Sequence, residues 1–290
     1  MHLSFLLAIS LYLIGLALSL LNLSARREIF FRWAFGALAM GFVFHTLLLT
    51  LLTINGRHLP IYTSKEAFSL FAWLVTLSFF ISYLKFRIQL LGILVLPLVS
   101  AFMLFAGALE RQPFPPLWKG YWVYVHTGLV LIAYVAFFLT FLSSILYLFQ
   151  ERALKEKRMG GVSERLPSLQ KLDRLLLTSL IVGMVTMTLG ILTGAIWAER
   201  VWGRYWGWDP KEIAALVTWL IYLFLVHYRL TAGWRGKRAA ILNVIGFVSV
   251  LFTFLGASYF RGMHAFWSAI DPGRNEPPDC SGGDPRAHRL

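Results

Sequence analysis

Four histidines and one dense run of indoles carry the chemistry open to this chain. His45, His126 and His227 fall inside long apolar runs, and His264 follows Phe260, the end of the last run, by four residues. An ionisable group is costly to bury in a membrane span and marks a functional site by default, although a histidine hydrogen-bonded to a neighbouring helix is the structural alternative. His2, His58 and His288 sit beside polar residues in terminal or loop positions, where a solvated imidazole suffices. The indoles lie in Trp202-Gly203-Arg204-Tyr205-Trp206-Gly207-Trp208-Asp209-Pro210-Lys211-Glu212, which packs four aromatic rings into seven residues. An interfacial aromatic belt scatters one or two rings per helix end. A cluster broken by Gly203 and Gly207, which let backbone approach a ligand closely, reads instead as a platform for something flat.

Depth separates the histidines. His126 lies four residues past Trp122, about 6 Å into its span at 1.5 Å per residue, and His264 matches that depth on the same face. Two neutral imidazoles at one level can fill both axial positions of a haem iron while the indoles line the porphyrin. His227 lies eighteen residues beyond Asp209, about 27 Å along its helix, too far to serve the same haem, and reads as a ligand at a second site. His45, about 18 Å into the second run from Trp33, is an open metal-ligand candidate that pairs with His227 only through tilt or an irregular helix.

Part of the tryptophan segment has a structural job. Asp209 is placed to cap a helix that begins at Pro210, with Glu212 reaching back to the cap; Thr63 and Glu66 repeat the pattern ahead of the third run. If the loop forms a helical turn, Trp202 and Trp206 share a face and Trp208 points elsewhere.

The positioning elements follow from composition. Hydrophobic residues make up 58% of the 290 residues and charged residues 14%, which excludes an ordinary water-soluble domain. Eight runs reach membrane-spanning length: Leu3–Leu23, Trp33–Ile54, Ala67–Leu84, Ile88–Leu109, Trp122–Phe149, Leu175–Trp197, Pro210–Tyr228 and Ala239–Phe260. The fold class is therefore an all-α integral membrane bundle of about eight transmembrane helices. The first run lacks a basic leader and a small-residue cleavage site and reads as a retained helix. Residues 1–270 form one polytopic domain; residues 271–290, rich in Pro and Gly, read as a disordered tail.

Sixteen lysines and arginines fall in the connections after the first, third, fifth and seventh runs, Arg229 among them, against seven in the connections after the second, fourth and sixth. Basic loops stay on the cytoplasmic side, so the tryptophan loop and both termini face outward. Topology accounts for the net charge of +13, and no soluble domain remains to present a basic face to nucleic acid. Arg200, Arg204 and Lys211 are candidates to pair with haem propionates. The single Cys280 excludes a disulfide framework, and without a Cys-x-x-Cys-His segment the chain does not attach haem to itself.

Trp202 through Glu212 resembles the tryptophan-rich (WWD) signature of the haem-handling membrane proteins of cytochrome c biogenesis. With eight spans and His126, His227 and His264 in order around it, the chain is most similar to the CcsA (ResC) family of the System II pathway. CcmC proteins share the signature on fewer spans, and CcmF proteins are much larger. The resemblance implies that Trp202, Gly203, Arg204, Tyr205, Trp206, Trp208 and Asp209 contact haem b, that His126 and His264 hold its iron on the outer face, and that His227 is an intramembrane ligand. It also assigns a further intramembrane histidine to a CcsB-type partner, which weakens the case for His45. Implied partners are that subunit, apocytochrome c, membrane or periplasmic thioredoxin-like thiol reductants and membrane lipid; the implied location is the bacterial cytoplasmic membrane rather than a thylakoid. The implied activity is presentation of haem for thioether attachment by a holocytochrome c synthase. A haem exporter without synthase chemistry, a HemX-like regulator and a secondary transporter are the alternatives; the signature disfavours the regulator, and the lack of internal repeats disfavours the transporter.

Overall fold

The computed structural model describes residues 2–25, 27–61, 63–109, 121–157, 166–233 and 236–256. Eight helices occupy them, α1 His2–Ala25, α2 Glu28–Gly56, α3 Ser64–Phe86, α4 Leu90–Ala108, α5 Tyr121–Lys155, α6 Leu169–Trp202, α7 Pro210–Thr231 and α8 Lys237–Leu251, and each is long and apolar enough to cross a membrane, the eighth when counted through Phe254. A short π-helical segment, Phe252–Gly256, continues α8. The expected all-α multi-span class is the observed one, and every expected run coincides with a helix as far as the described residues go, 257–260 of the eighth run lying outside them. Most helices extend past the apolar runs because their charged ends remain helical outside the hydrocarbon. The 35 residues of α5 reach about 52 Å at 1.5 Å per residue, well beyond a hydrocarbon layer of about 30 Å. His264, Phe260 and the 271–290 tail lie outside the described residues.

Helices α5 and α6 form the central antiparallel pair, and their fit is set by glycines. A Cβ at Gly183 would meet the Phe137 ring at 2.5 Å, one at Gly190 would meet Val130 at 2.8 Å, and one at Gly194 would meet the His126 ring at 2.7 Å. The glycine number rises along α6 by the same steps of seven and four by which its α5 partner falls. That is one continuous antiparallel register, with side chains of α5 seated where α6 has none. Further along, Thr140 and Ser179 join hydroxyls at 2.8 Å across the same seam. Phe137 is in turn stacked on Tyr222 of α7, with ring centroids 3.6 Å apart, so the seam also locates the helix that follows the tryptophan loop.

The first four helices pack around His45, which is fully buried. Tyr12 of α1 contacts His45 Nδ1 at 3.1 Å, and Nε2 reaches the Ser69 hydroxyl of α3 at 3.0 Å. Both ring nitrogens thus have protein partners from two other helices, the arrangement of a structural histidine. An aromatic cluster joins this half to the rest. Phe254 of the π segment stacks on Phe71 (centroids 5.2 Å) and lies edge-on to Phe68 and Tyr134, linking the end of α8 to α3 and α5.

Arg229, expected in the connection after the seventh run, is instead almost fully buried on α7 and ion-paired with Asp173 of α6. The helix continues to Thr231, which turns Arg229 into the bundle, where a charge persists only when paired.

The seam predicts a sharp local sensitivity. Gly183→Leu, which must displace the Phe137–Tyr222 stack, is expected to destabilise the bundle by about 1–3 kcal/mol, read as a lower thermal unfolding midpoint of the detergent-solubilised protein. Gly36→Leu, where a Cβ meets nothing within 4 Å, is the control expected to leave the midpoint unchanged.

Candidate functional site

His126 sits one turn into α5, half-buried, and three features of α6 fix it. Its Nδ1 donates to the Gly190 carbonyl at 2.8 Å, so that in the neutral imidazole Nε2 is the nitrogen that carries the lone pair. Gly194 leaves the space that the ring occupies. Trp197 lies nearly parallel to it, 14° between planes and 6.3 Å between centroids. Gly190 O also accepts from the Thr193 hydroxyl at 3.1 Å and so is a shared acceptor.

The tryptophan loop does not form a helical turn. Trp202 is the last residue of α6, and Gly203 closes the helix in the left-handed region at φ 69°, its N–H donating to the Glu199 carbonyl. The reversal splits the expected Trp202–Trp206 pair. Trp202 packs edge-on against Trp197 at 5.1 Å, and Trp206 packs edge-on against Trp208 at 5.9 Å. Trp206 is the half-buried member, and its indole Nε1 is buried with no hydrogen-bond partner among the described residues. Trp208 is 70% exposed; the expected separation of its ring from Trp202 and Trp206 assumed a helical turn that the loop does not form. The Trp208 φ of 57° is rare for a bulky side chain and costs about 1–3 kcal/mol.

The cap holds that strained residue. Asp209 Oδ1 accepts from Lys211 N at 2.7 Å and Glu212 N at 3.1 Å, while Glu212 Oε2 accepts from Asp209 N at 3.3 Å and Gly207 N at 2.8 Å. This is the expected capping box, with one addition: the Glu212 carboxylate grips the residues on both sides of Trp208. Asp209 is buried and engaged in the cap.

Between α5, α6, α7 and the loop lies a cavity of about 100 Å³ lined by His126, Tyr134, Gly194, Tyr205, Trp206, Lys211, Glu212 and Thr253 among others. Its α6 wall combines the small residues Gly194, Ala195 and Ala198 with Met187 and Ile191, and its loop wall is formed by the Tyr205 and Trp206 rings. An imidazole, two aromatic rings of the loop, an indole N–H and a lysine amine thus converge on one mostly apolar cavity. Thr253, hydrogen-bonded to Thr218 at 2.9 Å and to the Ala214 carbonyl at 3.1 Å, carries the π segment into the same wall. π segments inside helices recur at functional sites.

The other sequence candidates are dispersed. His45 is enclosed in the α1–α4 half. His227 is exposed on the outer surface of α7, next to the ring of Tyr228 at 5.6 Å, and the two histidines do not meet. Arg204 and Trp208 are exposed, and the Arg200 guanidinium lies 5.3 Å from the Trp122 ring centroid. Lys211 alone of the three candidate cations lines the cavity. Trp197, Gly190, Gly194, Thr253 and the second role of Glu212 escaped the sequence reading. The glycine pair four apart, with a tryptophan three further on, was the signal for α6. Thr253 left none, because its place depends on how α8 returns.

Comparison with known proteins bears on this site. The sequence matches the Cytochrome C assembly protein family over residues 2–264. The chain belongs to that family. Relatives include the cytochrome c biogenesis protein CcsA of Mesostigma viride, 32% identical over 76% of this chain and 81% of its own length. The CcsA protein of Chlamydomonas reinhardtii is 33% identical over 76% of this chain and 65% of its own. Among solved structures, the cytochrome c haem lyase CcmF matches with a TM-score of 0.65 at 20% identity, covering 92% of this chain and 49% of that one, a likeness of fold. Membership of the family places the chain in cytochrome c assembly and bears out the resemblance carried by the tryptophan segment.

The Gly194 contact offers a test that leaves His126 itself in place. Gly194→Ala, by pushing the imidazole off its seat, is expected to lower maturation of a reporter c-type cytochrome about tenfold or more. Protein abundance in the membrane is expected to stay at the wild-type level, and Gly128→Ala, with open space around its Cβ, is expected to mature cytochrome normally.

Proposed function

We propose that this protein is the haem-handling subunit of a System II cytochrome c synthase, and that it holds haem b on the face of the tryptophan loop for attachment to apocytochrome c. The observation that carries the reading is His126, its tautomer fixed by Gly190 and its ring set beside an aromatic-lined cavity with a buried indole N–H that has no partner among the described residues. The donor set suits haem. His126 Nε2 is a ligand for iron, Tyr205 and Trp206 face the macrocycle, and Lys211 with the Trp206 N–H suits propionate oxygens. His264 is proposed as the opposite axial ligand.

Haem is the substrate here. Filling both axial positions and surrounding the macrocycle with aromatic walls keeps competing reactants from the iron. Thioether attachment adds each thiol S–H of a Cys-x-x-Cys-His segment across a vinyl double bond, forming one C–S bond and one C–H bond. The protein's contribution is to hold the vinyl edge where the thiols arrive. The apocytochrome histidine then replaces His126 or His264 on the iron and frees the product.

His227 has a separate part in this reading. It stands exposed on α7 in line with Val217 and Leu220, both also exposed, on a face suited to a CcsB-type partner helix, and we assign it as a haem ligand at that interface. The tryptophan loop is assigned to the outer side of a bacterial cytoplasmic membrane from the distribution of basic loops, although the similar CcsA proteins named above come from algae. Thioredoxin-like reductants are the expected source of reduced thiols. The competing reading, haem export or delivery without ligation, separates from this one by whether the purified complex forms thioethers on a Cys-x-x-Cys-His peptide.

His126→Ala and His264→Ala are each expected to abolish cytochrome c maturation and to remove the paired-imidazole absorption bands of the reduced purified protein. Added imidazole is expected to restore part of both. Normal maturation in the double variant would overturn the ligand assignment. His227→Ala is expected to lower the haem content of the purified complex, and an unchanged content would remove His227 from the pathway.

A further inference from the structure

A larger cavity lies away from this site. It occupies about 430 Å³ between α1, α2, α3 and α4, at the ends of those helices that share a face with the tryptophan loop. That volume falls within the range of about 300–1,000 Å³ usual for small-molecule sites, and nothing in the haem-handling reading uses it.

Its chemistry is divided by depth. At the floor is Ser69, whose hydroxyl donates to Met103 Sδ at 3.9 Å and meets His45 Nε2 at 3.0 Å. A buried chain of contacts thus runs from Tyr12 through His45 to Ser69 and Met103. The Ser69 donor is spent inside the protein. The walls above it are apolar, Phe5 from α1 with Leu48 and Leu52 from α2. The rim is ionic. Lys65, Glu66 and His2 line it, the Lys65 ammonium 5.9 Å from the Phe5 ring centroid and the Glu66 carboxylate almost fully buried, its Oε2 4.0 Å from His58 Nδ1.

We infer that this cavity binds a phospholipid with a primary-amine headgroup, of the phosphatidylethanolamine type, from the leaflet on the tryptophan-loop side. The adjacent cation and anion match the two charges of such a headgroup, Lys65 taking the phosphodiester and Glu66 the ammonium. The apolar shaft takes an acyl chain, with Leu48 eight residues below the end of α2 at Gly56, a depth of about 12 Å. A primary ammonium donates three hydrogen bonds where a quaternary one donates none, so the carboxylate selects ethanolamine over choline.

The test uses the full-length protein in nanodiscs of equal phosphatidylethanolamine and phosphatidylcholine, with the lipids retained on the protein measured by native mass spectrometry. The wild type is expected to retain phosphatidylethanolamine about tenfold over phosphatidylcholine. Leu52→Trp, which fills the shaft, is expected to lose the retained lipid, and Lys65→Gln to retain about a tenth as much. Equal retention of the two lipids, retention of a neutral isoprenoid lipid instead, or wild-type retention in Lys65→Gln would each overturn the inference. Should Leu52→Trp fail to accumulate, the Lys65→Gln comparison and the headgroup preference decide it.

Discussion

The glycine seam between α5 and α6 is the constraint on which the rest of the structure depends. Two helices in a membrane gain little from excluding water between them, because lipid is as apolar as their side chains; close packing must supply the attraction. Gly183, Gly190 and Gly194 provide it by admitting Phe137, Val130 and His126 at distances no β-carbon would tolerate. The same register that joins the helices puts an imidazole against the Gly190 carbonyl. The packing that joins α5 to α6 is therefore also the packing that seats the His126 ring.

A second principle operates at the loop. The Trp208 backbone is held in a conformation that a bulky residue avoids, and it stays there because Glu212 binds the amides on both sides of it while Asp209 caps the following helix. Residues that look like catalytic carboxylates are the clamp. Their charges lie at the N-terminus of α7, where the helix dipole favours them. The indoles are thereby displayed by a fixed loop, and only Trp206 is turned toward the cavity.

The two halves of the molecule divide the burden of polar groups differently. In α1–α4 a histidine is closed off by Tyr12 and Ser69, and its hydrogen bonds tie three helices together. In α5–α8 the histidines are presented, His126 to a cavity and His227 to the exterior of α7. The π segment joins these regimes, with Phe254 in the aromatic cluster of α3 and α5 and Thr253 in the cavity wall.

Much of this was legible in the sequence. Eight spans follow from apolar runs of bilayer length, because a backbone in hydrocarbon must satisfy its own hydrogen bonds and does so as helix. The Asp209–Glu212 cap is local and could be read from four residues, and the density of indoles between two spans was enough to indicate the family. Tertiary structure decided what depends on partners distant in the chain. His45 and His126 have the same titrating group and each lies in an apolar run, yet one is enclosed by Tyr12 and Ser69 while the other faces a cavity. The Trp202–Trp206 pairing failed because a left-handed Gly203 ended the helix. Spacing fixes how deep a side chain lies along its own helix, whereas what it faces is set by the neighbour packed against it, and that neighbour was chosen by glycines some 60 residues away.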